Sequence, residues 1–121
     1  MRAALRSLHS PDIADLPNWQ PDIADDFGFL LQIIAGPADG EGAESFDVTV
    51  CTPRWLQRHH ASSDIVSGRH HLIVFVYDYS MLKSHIERKV CAIIGENWPD
   101  VARELSELGR WEFDGYRERR N

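Results

Sequence analysis

The sequence predicts an α+β domain, with a mostly antiparallel four-stranded sheet and helices packed on one face. Three observations predict this fold. Two segments in the first half of the chain have strand-like apolar patterns, a third apolar segment follows near residue 72, and two segments of helical periodicity fill the last third. Strands that mostly precede helices are typical of α+β folds. Because 121 residues make one domain of ordinary size, we treat residues 1–121 as a single domain.

The first half of the chain alternates between predicted strands and turns. Residues 2–9 indicate a short first strand, and the prolines and aspartates of residues 10–26 indicate a loop. Residues 27–36 are apolar on both alternating faces, which predicts a central strand. After a turn-rich connection at residues 37–43, residues 45–52 alternate cleanly and should pair antiparallel with the preceding strand. Pro53 then opens a short helix at residues 54–60.

The second half is predicted to contain one more strand and two helices. Residues 69–77 are again apolar on both faces, which indicates a strand. Ser80 is placed to cap a helix that runs to about residue 94, with apolar residues at three- and four-residue spacing. Asn97 restarts a helix, and Gly109 ends it. Trp111 and Phe113 then alternate with polar residues, through Asp114, in a short extended tail.

The net charge of −6 is concentrated in one part of the chain. Residues 10–53 hold nine Asp and Glu residues and no Lys or Arg. A one-sided negative field repels nucleic acid and attracts a basic partner, although a solubilising surface is the commoner reason for such a run. Trp19 is either an interface anchor or a side chain that fixes its loop to the core. The predicted partner-binding residues are Trp19, Asp22, Asp25, Asp26, Asp39, Glu41 and Glu44.

Four histidines form the best candidate for an active site or metal site. His59, His60, His70 and His71 favour, as an alternative, a small hydrolase or a metal-dependent enzyme. Neighbouring residues of a strand point to opposite faces, so His70 and His71 cannot both face one site, and the spacing matches no compact metal-ligand motif. The sequence contains none of the common nucleotide, serine-hydrolase or zinc-protease motifs. We therefore predict no enzyme activity, no catalytic residue, no cofactor and no metal. A second alternative is a regulatory module that binds a peptide at a sheet edge.

Two further features bear on location. The apolar runs are too short to span a bilayer, and Arg2 and Arg6 interrupt the N-terminus where a signal peptide needs apolar residues. We therefore expect a cytoplasmic protein that binds no membrane. Cys51 and Cys91 lack metal-binding or redox spacing, so we expect unjoined thiols, one at the end of a strand and one on a helix.

Several separate segments of the chain carry a family resemblance. They are LHSPD at 8–12, DFGFLLQ at 26–32, ESFDVTVCTPRWL at 44–56, NWPDVA at 97–102 and WEFDGY at 111–116. Together these segments resemble the immunity protein 8 family of bacterial polymorphic toxin systems. The resemblance implies a protein that binds a cognate secreted toxin domain, neutralises it by stoichiometric inhibition, and protects the producing cell. The charge pattern adds the expectation of a basic toxin domain, for example a nuclease.

Overall fold

The computed structural model describes residues 1–113. Within them the strands and helices follow in the order β1 (Ala3–His9), β2 (Gly28–Pro37), β3 (Glu44–Cys51), α1 (Pro53–His59), β4 (His71–Ile73), α2 (Tyr79–Cys91), α3 (Trp98–Leu105) and β5 (Arg110–Trp111). The sheet order is β1-β2-β3-β4, and β5 also pairs with β3. Among residues 1–113, β3 and β4 pair in parallel and the other strand pairs of the sheet are antiparallel. The predicted α+β class and mostly antiparallel sheet are confirmed, and β5 is an additional strand.

The core lies on one face of the central β2–β3 pair. Phe29, Leu31 and Ile33 of β2 alternate with less buried neighbours and stand in register with Val50, Val48 and Phe46 of β3. All six are at most 4% exposed. Side chains from α2 and α3 complete this cluster, namely Leu82, Ile86, Val90, Val101, Ala102 and Leu105. The two helices α2 and α3 pack on this one face, as predicted, because only one side of the central strands is fully apolar.

The other face of the sheet carries a mixed set of partly exposed side chains. In β2 and β3 these are Leu30, Gln32, Ile34, Ser45, Asp47 and Thr49. At one end of this face, a side chain on Gly28 would approach the Trp55 ring to 2.3 Å. Gly28 therefore allows α1 to lie against the start of β2, on the side of the sheet away from the core.

The predicted strand at residues 69–77 is wrong in its length. Only His71–Ile73 pair with β3, in parallel, and Val74 N donates the last hydrogen bond to Cys51 O at 2.9 Å. Strand β3 ends at Cys51 and the chain turns into α1, so it offers no further extended backbone. Phe75 and Val76 consequently leave the sheet and lie 79% and 57% exposed.

The predicted bounds of α2 also need correction. The cap is Asp78, whose Oδ1 accepts from Met81 N at 3.1 Å, and not Ser80. The helix ends at Cys91 because the backbone that follows binds the first strand: Ala3 N donates to Ile93 O at 3.3 Å. Cys51 ends β3 and Cys91 ends α2, so their predicted positions are confirmed. Asp114, the last residue of the predicted tail, lies outside the described residues.

A single buried hydroxyl connects three elements of the fold. Thr52 is fully buried, and its Oγ1 accepts from Phe27 N at 3.2 Å and from Trp55 N at 3.3 Å. Its backbone N also donates to Phe27 O at 3.0 Å. Thr52 thus joins the start of β2 to the end of β3 and caps α1.

Replacing this hydroxyl should destabilise the protein although the shape is preserved. The variant Thr52→Val leaves two amide donors without their acceptor, which should cost about 1–3 kcal/mol of unfolding free energy. Urea denaturation measures the change. Thr52→Ser is the matched control: it keeps the hydroxyl and loses only a methyl group, so it should be the more stable variant. Equal stability of T52V and the wild type would show that the hydroxyl is dispensable.

Candidate functional site

Two of the predicted partner-binding carboxylates, Asp25 and Asp26, form ion pairs within the fold. The side chain of Asp26 is only 6% exposed, and Arg58 donates to its two oxygens at 3.0 Å each. Hydrogen bonding by Arg58, aided by the charges of Arg58 and Arg54, lowers the pKa of Asp26 against the opposing effect of burial. Asp25 pairs with Arg54 at 3.1 Å, but both groups are largely exposed. The acidic loop therefore obtains counter-charges from α1, which its own sequence does not contain.

Glu44 likewise has a structural role. Its Oε1 accepts from Trp98 Nε1 at 2.6 Å and from Trp111 Nε1 at 3.1 Å. The carboxylate thereby satisfies two half-buried indole N–H groups that flank α3, and a buried indole needs such a partner. Trp98 and Trp111 pack against the core. Glu44, like Asp26, is thus engaged within the fold.

Besides Asp25, three of the predicted carboxylates are exposed, and they lie at opposite ends of the sheet. Asp22 belongs to the loop that precedes β2, whereas Asp39 and Glu41 belong to the hairpin that follows it. Strand β2 has ten residues, so these ends are separated by roughly 30 Å. Arg6 fixes the hairpin by donating to Pro37 O at 2.6 Å and to Gly40 O at 2.8 Å. The structure does not bring the predicted acidic residues together into one patch.

Trp19 fixes the acidic loop to the core. Its ring makes edge contacts with Phe27, Phe29 and Tyr77, at centroid distances of 5.7, 5.5 and 4.8 Å. The Tyr77 hydroxyl donates to Leu16 O in the same loop. Burial, with a contribution from the charges of Tyr79 and Asp15, raises the pKa of Tyr77 to about 12. The loop is therefore held against the segment that leads from β4 to α2.

That segment borders an apolar groove that the sequence analysis missed. The groove has a volume of about 250 Å³, and its lining includes Leu72, Val74, Tyr77 and Leu82. Four exposed apolar side chains also line it: Ile73, Phe75, Val76 and Met81. The strand prediction had placed Phe75 and Val76 within the sheet. Asp78 is as good a helix cap as Ser80, but it follows the predicted strand, so it gives no signal that the pairing ends at Ile73.

The histidines are only partly assembled. His70 Nε2 donates to Ser106 O at 2.7 Å, whereas His71 lies on the other side, with its ring 6.4 Å from that of His60. His70 and His71 have different partners, but the predicted reason is wrong: His70 lies before β4 with a φ of 62°, so strand alternation does not separate the two rings. The ring of His59 stacks on that of Trp55, with the two ring centroids 4.3 Å apart. Residues 1–113 contain no group of three or more His, Cys, Asp or Glu side chains arranged to hold a metal ion.

The Asp26–Arg58 pair predicts a specific dependence of stability on pH. The pKa of Asp26 is lowered by folding, so its contribution is present above the ordinary value of 3.8 and is lost as the pH falls through the lowered pKa. Asp26→Asn should therefore be less stable than the wild type at neutral pH, and the two should converge in strong acid. Chemical denaturation across this pH range measures the difference. Asp22→Asn, an exposed carboxylate of the same loop, should track the wild type throughout; a constant gap for D26N would contradict the assignment.

No helix among residues 1–113 is long and apolar enough to cross a membrane.

Comparison with known proteins identifies the family of the chain. The sequence model described as Immunity protein 8 matches residues 3–116, which is nearly the whole chain. Neither a curated protein nor a solved structure matches this chain. The matched range includes all the strands and helices described above. The protein therefore belongs to the immunity protein 8 family, whose members are immunity proteins of toxin systems.

Proposed function

We propose that this protein binds one cognate secreted toxin domain and neutralises it by stoichiometric protein–protein inhibition in the cytoplasm. The family match over residues 3–116 is the observation that carries the proposal. Immunity proteins of toxin systems act on a partner protein, so the relevant site is a surface and not a catalytic centre. We treat the whole chain, residues 1–121, as a single immunity domain.

The chemistry of the described residues favours binding over catalysis. His70 is held by a backbone carbonyl, and His59 is stacked on an indole, so these rings do not converge on one position. No buried side-chain nitrogen or oxygen in residues 1–113 lacks a hydrogen-bond partner. Catalytic groups are commonly recognised by convergent titratable side chains in a cleft, and the metal-dependent alternative gains no support from this arrangement.

The acidic loop is the part of the predicted partner-binding set that best fits this function. Asp22 and Asp25 are exposed there, and Trp19, which is itself partly exposed, holds the loop in place. These carboxylates would accelerate the encounter with a basic toxin domain, such as a nuclease, because complementary charges steer association. Asp39 and Glu41 would contribute only at long range from the other end of the sheet. Asp26 and Glu44 would support the fold.

The proposed function predicts a tight complex with a neighbouring gene product. The proposal predicts that a large secreted protein is encoded beside this chain, and the C-terminal domain of that protein is the probe. We expect the two proteins to co-purify as a complex of defined stoichiometry, and we expect expression of this chain to restore growth of cells that produce the domain. A C-terminal domain from an unrelated secreted toxin is the control. Failure to bind the neighbouring domain, with this chain folded, would overturn the proposal.

Electrostatic steering by the acidic loop predicts a change in association rate. Asp22→Lys should slow association with the toxin domain and weaken its salt dependence, while dissociation changes less, because rim charges act mainly on encounter. Asp39→Lys is the matched control, an exposed loop carboxylate at the far end of the sheet, and its effect should be smaller. Surface-immobilised binding kinetics at two ionic strengths measure both. Equal association rates for D22K and the wild type would exclude this loop as the steering surface.

A further inference from the structure

We propose that the apolar groove beside the acidic loop is the docking site for the toxin domain, and that it receives an apolar side chain flanked by basic residues. We define this apolar groove by Ile73, Phe75, Val76, Met81 and the buried side chains beneath them. The inference rests on the proposed function, and it names the surface that would hold the complex together after charges have steered the encounter.

The groove presents large apolar side chains that the fold leaves in water. Phe75 is 79% exposed, Met81 64%, Val76 57% and Ile73 44%. All four line the same groove, whereas scattered single exposed apolar residues are normal on protein surfaces. Interfaces concentrate binding energy in a few such anchors surrounded by polar residues. Met81 adds an adaptable side chain, which suits a surface that must fit a partner.

The size of the groove favours a protein side chain as its occupant. Its volume is about 250 Å³, and its floor includes the buried residues Val50 and Leu82. Small-molecule sites usually occupy about 300–1,000 Å³ and contain convergent polar groups. This groove is smaller, and among its lining residues only Asp78, His85 and the hydroxyl of Tyr77 provide polar side-chain groups. Tyr77 is already engaged with Leu16 O.

The charges around the groove select a partner with basic residues on one flank. Asp78 lines the groove. Asp15 lies close enough to Tyr77 for its charge to act on that hydroxyl. Arg88 lines an adjoining depression on the helix side, together with His85. A toxin side chain that enters the groove would therefore place Lys or Arg toward Asp15 and Asp78 and away from Arg88.

The groove is also continuous with the loop that we propose as the steering surface. Trp19 lies 4.8 Å, between ring centroids, from Tyr77, which lines the groove. A basic partner drawn to the carboxylates of this loop, of which Asp15 acts on Tyr77, would thus arrive at the edge of the groove. Steering and anchoring would be carried by adjacent surfaces, with the charges acting on association and the apolar side chains on dissociation.

The test compares two exposed apolar residues on opposite edges of the sheet. Val76 and Ile94 are each 57% exposed, but Ile94 forms a bridge with Arg2 beside β1, whereas Val76 follows β4. We expect Val76→Asp to weaken binding of the neighbouring toxin domain roughly tenfold or more, mainly through faster dissociation. Ile94→Asp should bind like the wild type. Phe75→Ser, which removes the most exposed anchor on the groove, should repeat the effect without adding a charge.

The outcomes separate this inference from the proposed function. Circular dichroism and thermal melting establish that each variant is folded. If the wild type binds the toxin domain and V76D and F75S bind equally well, the docking site lies elsewhere while the proposed function stands. If the wild type does not bind that domain, the proposed function itself fails. If sedimentation shows that the wild type is a dimer and F75S a monomer, with toxin binding unchanged, the occupant is a second copy and the inference is overturned.

Discussion

The antiparallel pairing of β2 with β3 is the constraint on which the rest of the structure depends. Phe29, Leu31 and Ile33 meet Val50, Val48 and Phe46 on one face, and this face is almost completely removed from water. Each such side chain contributes on the order of 1.5–3 kcal/mol when buried. A one-residue slip of either strand would turn its three apolar side chains toward the mixed face. The register therefore requires α2 and α3 on the apolar face and leaves the other face only partly covered, at one end, by α1.

This pairing also determines where charged side chains can serve the fold and where they remain free. The two ends of β2 carry acidic segments, and each segment gives up a carboxylate to a structural contact. Asp26 is enclosed by Arg58 at one end, and Glu44 accepts from two tryptophans at the other. Asp22, Asp39 and Glu41 retain exposed charge. A surface that looks uniformly acidic in sequence is therefore divided into supporting residues and solvent-facing ones, and the solvent-facing ones fall at two distant ends.

The apolar groove has its origin in the short parallel strand β4. Because β3 ends at Cys51, β4 finds a backbone partner only as far as Val74 N. The chain then crosses from the sheet edge to the cap of α2 at Asp78. Phe75 and Val76 lie in this crossing segment, with their side chains exposed to solvent. Trp19 and Tyr77 fill the inner side of the same crossing and bind the acidic loop to it. The fold thus places the exposed carboxylate of Asp78 beside exposed apolar side chains, which is the arrangement expected of an interface with a charged rim.

The sequence by itself determined the fold class, the central strands and the two helices of the last third, because alternation and helical periodicity are local signals that burial then enforces. Family-specific segments along the chain also identified its family. Only the tertiary structure decided which acidic residues are free, because the partners of Asp26 and Glu44 lie 32 and more than 50 residues away in the chain. The tertiary structure also determined that residues 74–77 leave the sheet, because their strand-like pattern cannot reveal that the neighbouring strand β3 has ended. Long-range pairing determines both features, and no local pattern encodes it.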